Sequence, residues 1–290
     1  MTALALVRFA HFMGAMLTFG ISVYLWAYAP ERLRLDLSPA ARRLAVIASF
    51  VALITAILWL QLEAASMAGD LSAALDASVI DAVLTDTAFG HAWAAHCVLG
   101  AALAAAVLLR PRDRWGPAAL AAGALLASFG LVGHAAMQSG AEGVLHRLNH
   151  AAHLLAGGAW LGGLIVFAMS LRAFERDDLR REAMQAMMSF SFWGQLIVAA
   201  VVLTGMADIA MTSGRPPIPP TTLYRALLLT KIVLVAVMIS LALVNRFVLA
   251  PRIKANVRAL AMLRSTCAAE IALGSAVVAL VSVFALLDPA

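Results

Sequence analysis

Charge and cysteine are what this chain has least of. Only 13% of its 290 residues are Asp, Glu, Lys or Arg, while 63% are hydrophobic and the mean hydropathy is +0.91. A soluble domain carries about a quarter charged residues, so that class is excluded and a polytopic membrane protein is implied. The two cysteines, Cys97 and Cys267, cannot build a disulfide framework or a cysteine-only metal site. Walker, Rossmann, HExxH and serine-elbow motifs are also missing, which argues against nucleotide-driven pumping within this chain. The net charge of +5 suits either nucleic acid or the cytoplasmic loops of a membrane protein, and the distribution of the charges decides between them.

Eight apolar stretches approach the roughly 20 residues that cross a bilayer. They lie at about 4–29, 41–68, 89–110, 117–139, 144–171, 187–212, 222–248 and 266–287, in one all-α membrane domain over residues 1–290. Sixteen of the 21 basic residues fall in or beside the first, third, fifth and seventh connections, from Arg32 to Arg264. The second connection holds Asp70, Asp76, Asp81 and Asp86 without Lys or Arg. By the positive-inside rule both termini face outward, the partner surface is lipid, and nucleic acid is excluded. The first stretch has no basic leader before it, and cleavage after Ala29 would strand the arginine-rich loop on the wrong side, so it is expected to stay as a helix. Residues 70–88 predict a short amphipathic helix on the outer face, and the proline-rich 214–220 a stiff outer loop. This topology puts Cys97 and Cys267 near opposite faces, too far apart to bond.

All seven histidines then fall on the outer side. At about 100° per residue His146, His150 and His153 share one helix face, which Gly157 and Trp160 continue inward, while His134 and Met137 close the preceding stretch. His11, His96 and the carboxylate of Glu63 lie at similar depth on the first three stretches. Imidazole binds copper, zinc, iron and nickel, and thioether shifts the preference toward Cu(I). The expected metal site is therefore built from His134, His146, His150 and His153, with His11, His96, Glu63 and Met137 as candidate additions. Asp208 and Lys231, at comparable depth on the sixth and seventh stretches, predict a buried ion pair of structural or coupling role.

The run from Thr204 to Pro251, with Tyr224, Leu228, Lys231, Asn245 and Arg246, and the segment His150, His153 and Ala159 to Gly163, resemble the CopD (PcoD) copper-resistance membrane proteins. The resemblance implies a bacterial inner-membrane protein that takes copper from the periplasm, works with a periplasmic carrier of the CopC type, and moves the ion toward the cytoplasm. Asp208 departs from it, since a neutral residue is expected there. No enzymatic activity is implied.

Two other functions fit the same residues. A copper sensor or store would also explain one-sided histidines, because the inner halves of the stretches offer only Cys267, Glu270 and scattered Met as ligands. A b-type haem protein, and then an oxidoreductase, would use one axial imidazole from each of two helices, such as His96 with His134 or His153.

Overall fold

Long apolar runs in this sequence leave the backbone one way to satisfy its N–H and C=O groups in hydrocarbon, which is to bond them within helices. The structure, a computed structural model, describes residues 2–109, 111, 113–133, 138–212, 217–253 and 257–287. Among these residues it has nine α-helices: α1 Thr2–Val23, α2 Glu31–Ala68, α3 Ala77–Asp86, α4 Ala88–Leu109, α5 Gly116–Ala127, α6 Gly140–Ser170, α7 Arg180–Thr212, α8 Leu223–Val244 and α9 Val257–Phe284. No strand occurs among the described residues.

Seven helices are long and apolar enough to cross a membrane, namely α1, α2, α4, α6, α7, α8 and α9 with their short extensions. Where the sequence predicts a fourth crossing at 117–139, the structure has a shorter apolar helix, α5 continued by a 3-10 turn to Leu131. His134 and Met137 lie outside the described residues. Several helices outrun their apolar stretches. Thus α2 begins at Glu31, α7 at Arg180 and α9 at Val257, so residues that read as loops become polar helical ends.

Those ends carry a band of ion pairs at one end of the bundle. Arg176 bonds Asp36 at 2.6 Å, Arg264 bonds Glu175 at 2.7 Å, and Arg42 reaches the Leu108 carbonyl. At the opposite end α3 forms where the sequence predicts an amphipathic helix. Asp76 caps it by accepting from the Ser78 N–H, Val83 turns inward, and Asp81 and Asp86 stay exposed.

The central contact joins α1 to α6. A Cβ on Gly20 would come within 2.5 Å of the Gly158 carbonyl, and one on Gly162 would stand 2.5 Å from the Met16 carbonyl. Such close approach of two backbones requires glycine. The two helices run parallel, with Met16 beside Gly158 and Gly20 beside Gly162. Carried back five residues on each, this register sets His11 level with His153. Cys97 and Cys267 are both free thiols.

Candidate metal site

Two polar constellations lie at that level, one facing α2 and α4 from α1, the other facing α7 from α6. In the first, His11 and His96 are fully buried, 0% and 1% exposed. Their Nε2 atoms face each other at 2.9 Å. His11 Nδ1 lies 2.8 Å from the Ala52 carbonyl and 3.1 Å from Thr55 Oγ1, while His96 Nδ1 lies 2.7 Å from Ser128 Oγ. Ser128 Oγ also lies 2.7 Å from the Leu125 carbonyl.

Counting protons along this chain defines its chemistry. A carbonyl only accepts, so His11 Nδ1 must carry hydrogen to serve Ala52. The Ser128 hydroxyl reaches both the Leu125 carbonyl and His96 Nδ1. Donated to His96, it leaves the His96 Nε2–H to bond the bare His11 Nε2, and two neutral rings satisfy the chain. Donated to Leu125, it sets the His96 proton on Nδ1 and turns both Nε2 lone pairs toward each other, the form that a proton or a monovalent ion with affinity for imidazole nitrogen would bridge.

Aromatic rings enclose the pair. Trp93 stacks on His96 with centroids 4.5 Å apart, and Phe129 and Trp59 meet His11 edge-on at 5.3 and 5.9 Å. Trp93 is itself anchored by its indole N–H to the Ala56 carbonyl. Their hydrocarbon keeps water away from the pair. Outside the box the Arg8 guanidinium lies 4.6 Å from the Trp59 ring centroid and within electrostatic reach of half-buried Glu63. Glu63 thus neighbours the pair through Arg8 and Trp59.

In the second constellation the three histidines of α6 turn one face to α7, as their spacing predicts. Asp208 lies between two of them, 3.3 Å from His150 Nδ1 and 3.8 Å from His146 Nε2. It also accepts from the Asn149 amide at 2.6 Å. His146 Nδ1 meets Gln138 Oε1 at 3.1 Å, and His153 Nδ1 meets Thr204 Oγ1 at 2.9 Å. Lys231 of α8 lies within electrostatic reach of Asp208, and its Nζ stands 6.0 Å from the Phe284 ring. Among the described residues no three His, Cys, Asp or Glu groups are arranged to hold one metal ion together. His91 stands apart at the start of α4, bonded to the Thr85 carbonyl.

Sequence spacing missed the polar partners of these groups, among them Ser128, Thr55, Gln138 and Asn149. Each is an uncharged polar residue inside an apolar helix or just outside its end, where a polar group must find a bonding partner. That signal is readable, but the identity of the partner is not.

A multi-helix membrane bundle with buried, interlocked imidazoles is the class this geometry defines. Residues 1–144 match the family described as copper resistance protein D-like, N-terminal domain, and residues 184–284 match copper resistance protein D. The chain is 32% identical to Inner membrane protein YebZ of Escherichia coli (strain K12), an alignment covering 98% of this chain and 97% of that protein. It is 28% identical to Copper resistance protein D of Pseudomonas syringae pv. tomato, over 98% of this chain and 96% of that one. The chain belongs to the copper resistance protein D family. No solved structure matches it.

Proposed function

We propose that this protein binds copper at the outer side of the inner membrane and passes it toward the cytoplasm, with Cu(I) held between His11 and His96. The observation that carries this reading is the 2.9 Å Nε2 to Nε2 contact, which aims two buried imidazole nitrogens at one point. Two imidazole nitrogens facing one another suit the low coordination number of Cu(I), and the aromatic box protects that ion from water. Metal–imidazole bonds are about 2 Å long, so the rings would part by roughly 1 Å to admit the ion. His146, His150, His153 and Asp208 form the neighbouring receiving surface, with His134 and Met137 as further candidate ligands. A separate periplasmic carrier of the CopC type would deliver the ion there.

The relatives' names support copper and the inner membrane. The ion-paired arginine end supports a cytoplasmic face, with eight crossings and both termini periplasmic. A binding and transfer role, without a catalytic step, suffices for these residues. Haem is disfavoured because both nitrogens of His96 are engaged, by His11 and Ser128.

Titrating the purified protein with Cu(I) against a chromophoric chelator tests the site. His96→Ala should weaken binding at least about 100-fold, beyond the 10- to 100-fold cost of losing a mere orienting partner. Unchanged affinity would refute the assignment. Copper uptake into proteoliposomes tests the transfer step: an ion that binds but never crosses leaves a sensor or store.

A further inference from the structure

The inner half of the bundle holds one carboxyl that nothing so far employs. Glu270, in the middle of α9, is 1% exposed. Its Oε1 accepts from the Asn245 amide at 2.5 Å, Thr266 Oγ1 donates to Asn245 Oδ1, and the Trp160 indole faces the same carboxyl. Its Oε2 is buried without a hydrogen-bond partner. Cys267, 0% exposed, lies three residues earlier on the same face of α9 and within electrostatic reach of Glu270. One turn to the other side, a Cβ on Gly274 would stand 3.2 Å from Met238 Cε and 2.8 Å from Leu161 Cδ1, so the Met238 thioether lies over that glycine. Thioether, carboxyl and thiol therefore follow one another along α9.

Their position connects the known ends of the bundle. Trp160 lies seven residues past His153 on α6, about 10 Å along the axis. In the other direction Glu270 is six residues, about 9 Å, from Arg264, which pairs with Glu175 at the arginine-rich end. An unpaired buried carboxyl within a membrane is costly to keep, and it marks an ion or proton pathway more often than a packing site.

We infer that Cys267 and Glu270 form a second, inward copper site that takes Cu(I) in exchange for one proton, with Met238 as the donor the ion meets first. This rests on the copper reading above. The thiol supplies the soft ligand, and Oε2 bears the acid proton, because Oε1 accepts from Asn245. A bare charge in hydrocarbon is unfavourable, so the pair rests as two neutral acids. When Cu(I) arrives the S–H bond breaks and a Cu–S bond forms, while Oε2 gives its proton to water at the arginine-rich end and takes the thiol proton in its place. The site stays neutral and no electron moves. The other groups facing it are Tyr24 with Ser170, Trp160, and Asn245 with Thr266.

The full chain in detergent is titrated with Cu(I) in wild-type, Cys267→Ser, Glu270→Gln and a triple variant, His96→Ala with His150→Ala and His153→Ala. Copper X-ray absorption and proton release into weak buffer are read for each. One copper equivalent with a sulfur ligand should survive in the triple variant, releasing one proton per ion. It should disappear in Cys267→Ser and weaken at least tenfold in Glu270→Gln, with Glu270→Asp restoring part of it. Cys267→Ala, which keeps a small apolar side chain in the buried site, gives the same answer if the serine variant misfolds. No sulfur ligand in the wild type would overturn the inward site while leaving the outer one. If the triple variant binds as much copper as wild type, the outer assignment fails and the inward site stands; no binding by wild type overturns both.

Discussion

Gly20 and Gly162 meet where α1 and α6 come closest, and neither has space for a methyl group. That contact fixes the register by which His11 stands level with His153. Gly162→Leu would force the two helices apart, and overpacking of this kind costs about 1–3 kcal/mol or more. Its thermal unfolding midpoint should fall, and copper binding should weaken although no ligand is touched. An unchanged midpoint would show that the contact is looser than described.

On the proposed reading, copper between His11 and His96 depends on both rings acting together. His11→Ala and His96→Ala should each abolish tight Cu(I) binding, and the double variant should be no worse than either. This strong non-additivity, measured as a double-mutant cycle by chelator competition, is the signature of a shared ion. Additive losses would mean that the two rings serve different ions.

On the proposed reading, protons and copper compete for the Nε2 lone pairs of His11 and His96. Lowering the pH protonates the rings, so apparent Cu(I) affinity should fall with decreasing pH. His11→Ala, whose residual affinity comes from other groups, should lack this component. Equal pH slopes for the variant and the wild type would contradict competition at this pair.

Asp208 gathers Asn149, His150 and His146 around one carboxylate. Asp208→Asn removes the charge and places an amide against the Asn149 amide. The α6 histidines should lose their common orientation, and copper bound at that face should drop by 10- to 100-fold, as for loss of a ligand-orienting partner. Binding at His11 and His96 should be unaffected.

Asp76 caps α3 outside the spans, and its hydrogen bonds from the side chain and backbone N–H of Ser78 hold its carboxyl below the ordinary range. A lowered carboxyl contributes stability that is fully present above the unfolded value, near pH 4, and is lost as pH falls through the folded one. Amide exchange over residues 77–80 should therefore accelerate only in acid, and Asp76→Ala should show that faster exchange at neutral pH.

Membrane residence, the helical class and the common face of His146, His150 and His153 are all legible in the sequence. They depend on hydropathy, charge distribution and spacing along a single helix, which are local properties. The pairing of His11 with His96 is not legible, since 85 residues separate them and each has several helices to face. Nor does spacing show that Asp208 faces His150 as well as Lys231, or that Glu270 keeps one oxygen unpartnered. Those relationships follow from which helices adjoin and at what register, and glycine contacts such as Gly20 on Gly162 decide that in three dimensions. The sequence alone determined which residues can carry copper chemistry and at what depth; only the packing of the helices decided which of them meet.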